Sequence, residues 1–447
     1  MRKCFPFSVA WPGFAVVKSF ATGALVLAAG VFPARAATIV TLDSFSGTNG
    51  TFPVAALIAD GAGNLFGTTQ NGGTSNAGTV FEIVNASGSY GSPVTLTKFT
   101  GSNGTNPTSV LLIDAAGNLF GTTYAGGASN KGTVWEIAKT GSSYSSPTTL
   151  ASFSGSGNGM NPIDGLLVDA AGNLFGTTSG GGSSGVGTIF ELPKSGSLYG
   201  SLSTLLTFTG SNGSNPHGGL IADAAGNLFG TTIGGGTSND GIVFELPKSG
   251  SSFGSLLTLG TFSGSNGIAP YAMLTADSAG NLFGTTLSGG ASSHGTVFEL
   301  AKSGSSYGSL TTIASFTGSN GADPLAGLLI DGAGSLFGTT WHGGTSNVGT
   351  VFEIAKTGST YGSIAVLASF NGTNGSVPYG TLIADAAGNL FGTTSGGGAN
   401  SDGTVFELTS SGFVTAQANT NAPEPASIAL LGVGTVVIGL VRRRRRV

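Results

Sequence analysis

One pentapeptide, Leu-Phe-Gly-Thr-Thr, occurs seven times, and this repetition constrains the fold more than any other feature. Its phenylalanines follow one another at intervals of 54 or 55 residues, at Phe66, Phe120, Phe175, Phe229, Phe283, Phe337 and Phe391. A period of this length indicates a repeat architecture, in which each copy is one supersecondary unit packed against its neighbours. A recurrent proline, a Gly-Thr-Val-Phe-Glu segment and a second phenylalanine repeat in the same order. The sequence therefore predicts seven equivalent units.

Each copy contains four short runs that favour strands. In the second copy these runs are residues 109–114, 118–123, 133–138 and 148–153, and Gly-rich or Ser-rich turns separate them. The chain has 80 Gly and 28 Phe, a composition that disfavours both long helices and simple disorder. Four antiparallel strands per repeat form one propeller blade. We therefore predict an all-β fold, a seven-bladed β-propeller of four-stranded blades, here lettered a to d in chain order.

The order of the strands predicts how the ring closes. Residues 38–45 form a d-type strand that precedes the first strand a, whereas the last copy ends after a c-type strand near Leu408. If the N-terminal strand completes the last blade, no strand edge is left unpaired. A linear β-solenoid is the alternative, but it gives the spare strand no role.

The N-terminus has the features of a secretory signal peptide. Positive charges at Arg2, Lys3 and Lys18 accompany an apolar segment at residues 21–32, and small residues flank a cleavage site between Ala36 and Ala37. This assigns residues 1–36 to the signal and 37–415 to the propeller, followed by a linker at 416–422. An uncut membrane anchor is the alternative.

The C-terminal segment, residues 423–447, predicts a membrane anchor. The motif Pro423-Glu424-Pro425 precedes an apolar run at residues 426–441 and five arginines. As a helix this run spans about 24 Å, and its arginines favour the cytoplasmic side. The pattern resembles the PEP-CTERM sorting signal, which implies recognition by an exosortase-type enzyme in the envelope of Gram-negative bacteria and an association with extracellular polysaccharide. An ordinary transmembrane helix is the alternative.

The repeat itself resembles a known family. The segment Asp-Ala-Ala-Gly-Asn-Leu-Phe-Gly-Thr-Thr at residues 223–232, followed by Gly-Gly and a Gly-Thr-Val-Phe-Glu variant, is similar to the GloVer tandem repeat of the choice-of-anchor proteins. It also looks like the blades of two-component regulator propellers. The GloVer resemblance implies an envelope location and a variable anchor, and it implies no established activity.

The net charge of the region between the leader and the arginine cluster limits which partners the protein can bind. Between the leader and the arginine cluster, seven lysines are present with 20 acidic residues, a net charge near −13 that repels phosphate backbones. Nucleic acid is therefore not an expected partner. The only cysteine, Cys4, lies in the leader, and no metal-ligand or nucleophile spacing is present, so no cofactor is expected.

Two sets of acidic residues recur in every copy. An Asp opens each a–b turn, and a Glu lies in each strand c. A ring of carboxylates suggests calcium, but the spacing lacks the alternating Asp and Asn of a calcium loop. An Asp that accepts backbone N–H groups of its own turn is the simpler interpretation, and we expect a structural role for the Glu as well.

A local function is expected where the copies differ. The d–a and b–c loops share one face, and the residues after the recurrent Pro and after Gly-Thr-Thr vary between copies. Exposed aromatic rings among Asn, Ser and Asp suit sugar rings. The predicted ligand face consists of Tyr124, His217, Tyr271, Trp341, His342 and Tyr379. Ordinary loop variation is the alternative.

We therefore expect an exported protein of the cell surface or extracellular matrix with a noncatalytic binding or structural role. The tail would hold it at the inner membrane until processing, and release to the matrix could follow. The alternative function is a polysaccharide-active hydrolase or lyase on a propeller scaffold.

Overall fold

The structure, a computed structural model, describes residues 37–415, and within them it contains strands and no helix. The predicted signal peptide, linker and sorting segment lie outside the described residues. Within the described part, no helix combines the length and the apolar character needed to span a membrane.

The strands form seven blades, one for each repeat; six sheets have four strands, and the sheet of blade 7 has a fifth. Strands a are Ile58–Ala59, Leu112–Ile113, Leu167–Val168, Ile221–Ala222, Thr275–Ala276, Leu329–Ile330 and Ile383–Ala384. Strands b are Leu65–Thr69, Leu119–Thr123, Leu174–Thr178, Leu228–Thr232, Leu282–Thr286, Leu336–Thr340 and Leu390–Gly396. Strands c are Thr79–Ile83, Thr133–Ile137, Thr188–Leu192, Ile242–Leu246, Thr296–Leu300, Thr350–Thr357 and Thr404–Thr409. Strands d of blades 1 to 6 are Val94–Lys98, Thr148–Ser152, Ser203–Thr207, Leu257–Thr261, Thr311–Ser315 and Thr360–Ser369, and Thr38–Ser44 is strand d of blade 7.

Short hairpins join strands c and d. In the first five blades they are Asn85–Ala86 with Ser89–Tyr90, Lys139–Thr140 with Ser143–Tyr144, Lys194–Ser195 with Leu198–Tyr199, Lys248–Ser249 with Ser252–Phe253, and Lys302–Ser303 with Ser306–Tyr307. In blade 6 the hairpin is continuous with strands c and d, and in blade 7 Ser376–Pro378 adds a further pairing to strand b. The prediction of an all-β seven-bladed propeller is confirmed.

Strand a is shorter than the sequence predicts. In blade 2 only Leu112 and Ile113 pair with strand b, whereas the prediction covered residues 109–114. Strand a has two residues in every blade, and in six blades the carbonyl three residues before it accepts a threonine hydroxyl from strand b of the preceding blade. In blade 2 the residue at this position is Ser109, whose hydroxyl also accepts the Thr122 N–H at 2.9 Å. The Ser109 carbonyl in turn accepts the hydroxyl of Thr68 in the preceding blade. The backbone here bonds between blades instead of within the sheet.

Strand b is buried on both faces, as its weak alternation of apolar and polar residues predicts. In blade 1 its central residue, Gly67, pairs with Phe81 of strand c. A Cβ atom at Gly67 would lie 2.6 Å from Cζ of that ring, so the close approach of the aromatic side chain requires glycine. The hydroxyls of Thr69 and Thr79 bond each other at 2.8 Å and satisfy polar groups that are fully buried.

The hydrophobic core consists of seven clusters, each shared by two neighbouring blades. The cluster between blades 7 and 1 contains Phe391 and Val405 from one blade and Leu57, Leu65 and Phe81 from the other. Because every blade buries both of its faces in this way, burial is continuous around the ring, and a single blade could not supply it alone.

The N-terminal strand closes the ring, as predicted. Thr38–Ser44 pairs antiparallel with Thr404–Thr409, from Thr38 opposite Thr409 to Ser44 opposite Thr404. The following residue, Phe45, is fully buried, and its ring lies 5.0 Å from that of Phe81 in an edge-to-face arrangement. Blade 7 is therefore built from both ends of the propeller.

The residues after strand c of blade 7 replace a hairpin that this blade lacks. In five blades, the aromatic residue of the c–d hairpin packs against strand b of the preceding blade, as Tyr144 does against Phe66 at 6.1 Å. Tyr90 of blade 1 packs in the same way on Phe391. Blade 7 has no such hairpin, and Phe413 packs on Phe337 at 5.2 Å instead.

A depression at the axis of the propeller

The residues that follow the recurrent proline meet at the axis. One from each blade lines a common space, namely Val54, Thr108, Ile163, His217, Tyr271, Leu325 and Tyr379. Above them, on the face of the d–a and b–c loops, is a depression with a volume of about 410 Å³. The side chains of Gln70, Tyr124, Ser179 and Asn215 complete its wall. Variable residues that follow the recurrent proline, together with the first b–c loop residues of blades 1 to 3, thus surround one concave site.

Three aromatic rings form the core of the depression. The rings of His217 and Tyr271 lie 4.4 Å apart, and those of Tyr271 and Tyr379 lie 6.2 Å apart, both edge to face. The Tyr379 hydroxyl donates a hydrogen bond of 3.0 Å to the Tyr271 hydroxyl. Tyr124 lies on the wall with 40% of its surface exposed. Blades 4, 5 and 7 thus hold one aromatic cluster in a fixed geometry.

Burial sets the protonation of this cluster. Desolvation lowers the pKa of His217 to about 4, so its imidazole is neutral at pH 7. Its Nδ1 is buried and has no hydrogen-bond partner among the described residues. Burial also raises the pKa of both Tyr271 and Tyr379, with a smaller contribution from the Asp164 carboxyl. The phenols therefore remain protonated and can donate hydrogen bonds.

Asp164 lies in the narrow space below the aromatic cluster. Its carboxyl oxygens accept the N–H of Gly165 and, in the next blade, of Gly219, both at 2.7 Å. Desolvation raises the pKa of Asp164, although these two hydrogen bonds oppose the shift. Asp164 is not part of the predicted ligand face. The sequence does mark it, since the other six copies have Ala, Ser or Gly at the same position.

The structure brings together four of the six predicted ligand-face residues, and Trp341 and His342 are not among the residues that line the depression. They lie on the b–c loop of blade 6 with their rings 4.5 Å apart. His342 Nδ1 is 2.8 Å from Oδ2 of Asp323. The His342–Asp323 contact joins the b–c loop to the d–a loop that precedes strand a of the same blade.

The opposite face carries the recurrent charges in structural roles. In all seven copies, Oδ1 of the turn Asp accepts the backbone N–H of the residues two and four positions further on, at 2.7–3.0 Å. The turn interpretation is confirmed.

Five hairpin lysines place Nζ 5.0–5.6 Å from an aromatic centroid of their own hairpin. Within residues 37–415, no three metal-ligating side chains come together.

Three solved structures resemble this chain at low sequence identity. The extracellular domain of a candidate one-component system protein from B. thetaiotaomicron matches with a TM-score of 0.51 at 11% identity, covering 83% of this chain and 40% of that one. A gluconolactonase from Xanthomonas campestris matches with a TM-score of 0.40 at 14% identity, covering 68% and 86%. A candidate 6-phosphogluconolactonase from Bacteroides uniformis matches with a TM-score of 0.45 at 13% identity, covering 68% and 82%. The likeness to the first, of which this chain spans 40%, concerns the fold alone.

No curated protein matches the sequence. The repeat described as the Gloeobacter/Verrucomicrobia repeat does match, at residues 30–156, 94–261 and 254–443. These segments cover all seven blades, and they agree with the resemblance that the repeated decapeptide indicated. The chain therefore belongs to the Gloeobacter/Verrucomicrobia repeat family.

Proposed function

We propose that the protein is an exported, noncatalytic binding propeller of the cell envelope, and that its axial depression binds an uncharged sugar unit of a polysaccharide. The observation that carries the proposal is the meeting of three tyrosines and a neutral histidine with Gln70 and Asn215 in one depression. Aromatic faces pack on the C–H groups of a sugar ring, while phenol and amide groups bond its hydroxyls.

The charges of the depression support an uncharged ligand. Neither Lys nor Arg is among the residues that line it, and the nearest ionisable carboxyl is that of Asp164. An anionic polymer would meet no counter-charge there and would be repelled by the acidic body of the protein. Uronic-acid polymers are therefore poor candidates.

The same groups favour binding over catalysis. Glycoside hydrolysis commonly uses two carboxyl groups that flank the scissile bond, and Asp164 is the one carboxyl that lines the depression and the space below it. Because the pKa of both tyrosines is raised, almost no phenolate is present at neutral pH to remove a proton, whereas the neutral phenols can donate hydrogen bonds. The arrangement is suited to holding a sugar, and hydrolysis or elimination is not proposed.

Binding can be tested with the full chain, purified in detergent, on an array of glucose, mannose, galactose and N-acetylglucosamine oligosaccharides with uronic-acid oligomers as anionic members. We expect a neutral sugar to bind and Tyr271→Ala to weaken its binding about tenfold or more. Trp341→Ala is the matched control, since this aromatic residue lies outside the depression, and it should bind as the wild type does. New reducing ends or unsaturated sugars in the bound samples would instead indicate an enzyme.

Export and sorting are part of the proposal and rest on sequence features outside the described residues. The N-terminal signal would direct residues 37–415 across the inner membrane, and the segment at 423–447 would hold them there until an exosortase-type enzyme cleaves it. Replacing Pro423, Glu424 and Pro425 with alanine should leave export intact and block processing. Unchanged processing of that variant would exclude the sorting role.

A further inference from the structure

The residue before each recurrent proline has a left-handed backbone in all seven blades. The φ angles are between 54° and 59° at Phe52, Asn106, Asn161, Asn215, Ala269, Asp323 and Val377. Asn and Asp tolerate this conformation, whereas a β-branched or bulky residue is strained in it. Phe52 and Val377 are therefore the two strained members of the set, and they lie in blades 1 and 7, which meet where the ring closes.

The asparagines at this position also link neighbouring blades. Nδ2 of Asn106, Asn161 and Asn215 donates to the carbonyl that begins the b–c loop of the preceding blade, at 3.2, 2.9 and 3.0 Å respectively. Phe52 cannot make this bond. The residue therefore lacks both the favourable conformation and the bridging hydrogen bond of its asparagine counterparts.

The surroundings of Phe52 connect it to the axial depression. Its carbonyl accepts the Gln70 N–H at 2.9 Å, and Gln70 lines the depression. Phe52 is 45% exposed, whereas the phenylalanines of strands b and c within residues 37–415 are buried. Phe52 thus has an exposed ring two residues before Val54, which lines the depression, and at the position where blade 4 has Asn215, which also lines it.

We infer that Phe52 is a ligand-binding residue, an outer stacking platform for the sugar ring next to the unit held in the depression. The ligand would then be a chain of at least two units, of which one occupies the aromatic cluster and the next packs on Phe52. This inference rests on the proposed function and adds the length of the ligand. Val377 has the same strained backbone, so it is the exposed aromatic ring of Phe52 that distinguishes this position and points to binding.

The substitution Phe52→Asn tests the inference because it introduces the residue that three other blades carry. It relieves the strained conformation and supplies a donor for the carbonyl of Ser395, so the melting temperature should rise by about 1–3 °C. Affinity for the two- to six-unit oligomers of the sugar that binds should fall about 3- to 10-fold, towards that of the monosaccharide. Affinity for the monosaccharide should not change.

Val377→Asn is the matched control, since Val377 has the same strain at the equivalent position and no aromatic ring. It should raise the melting temperature and leave all affinities unchanged. Phe52→Tyr should bind oligomers as the wild type does. The role of Phe52 would be overturned if Phe52→Asn bound oligomers as tightly as the wild type does. It would also be overturned if the wild type bound one sugar unit as tightly as several. Either result would leave the proposed function standing. If no sugar of any length binds the wild type, both are overturned.

Discussion

His217 is the residue through which acid should affect the site. Its equivalents in other blades are apolar or hydroxyl side chains, and burial beside Tyr271 lowers its pKa to about 4. An unfolded histidine titrates near pH 6.5. Between these two values the unfolded chain binds a proton that the folded protein does not, so the native state loses stability as the pH falls from about 6.5 to 4.

The matched variant is His217→Leu, because Leu325 has this position in blade 6. Above pH 6.5 the wild type and the variant should show no pH-dependent difference. By pH 4 the wild type should have lost roughly 3 kcal/mol relative to the variant. Denaturation series at pH 7, 5.5 and 4 measure this difference, and parallel stability curves for the two proteins would contradict the assigned burial.

At the scale of the strand, the recurrent Glu of strand c contributes to the pH dependence with the opposite sign. Burial and the neighbouring Asp331 carboxylate raise the pKa of Glu353, and no lysine opposes them. Burial and Asp277 also raise the pKa of Glu299, but the Lys356 ammonium partly offsets them. A carboxyl whose pKa is raised in the folded state destabilises the protein as the pH rises through that pKa.

Glu353→Gln should therefore stabilise the protein at pH 7 more than Glu299→Gln does. Both residues are half-exposed, and solvent screening keeps the effect to about 0.5 kcal/mol. The advantage should disappear near pH 4, where the wild-type carboxyls are protonated. Melting temperatures of the two variants at both pH values test the expectation, and a larger gain for Glu299→Gln would show that the lysine does not act on its neighbour.

The blade was predictable because its determinants are local. Each turn Asp bonds the N–H groups two and four residues later, and the strands that follow are read directly from their β-branched and aromatic residues. The length of strand a was not predictable, since the backbone before it bonds a threonine hydroxyl of the preceding blade, about 41 residues away in the chain, instead of its own sheet. Side-chain hydrogen bonds of this kind leave no periodic signal in the sequence.

The site was predictable only to the level of a face. Variability after the recurrent proline identified His217, Tyr271 and Tyr379, because one residue from each blade meets at the axis. The position of Trp341 varies between copies as much as these positions do, yet Trp341 does not line the depression. The significance of Phe52 depends on a backbone angle, which a sequence does not display.

At the scale of the molecule, both ends of the propeller contribute to the closing blade. Thr38–Ser44 supplies a strand, and Phe413 supplies the ring that a missing hairpin would otherwise provide. The segment around Phe413 is fixed further by Gly332, whose N–H donates to the Val414 carbonyl at 2.7 Å. The two contributions differ in kind, because the strand completes a hydrogen-bonded sheet whereas the ring fills one apolar contact.

Removal of each contribution should therefore have a different result. A chain that lacks residues 37–45 exposes the edge of Thr404–Thr409 and removes Phe45 from the core between blades 7 and 1. An unpaired edge next to an opened core favours pairing with other chains, so we expect aggregation or a loss of stability well above about 4 kcal/mol.

Phe413→Ala, the comparison, leaves every strand paired and should lower stability by about 3 kcal/mol while the protein stays monomeric. Light scattering and thermal melts separate the two outcomes. If the chain without residues 37–45 is monomeric and as stable as Phe413→Ala, the N-terminal strand is not what closes the ring, because continuous burial around seven blades cannot survive the loss of a strand at the seam.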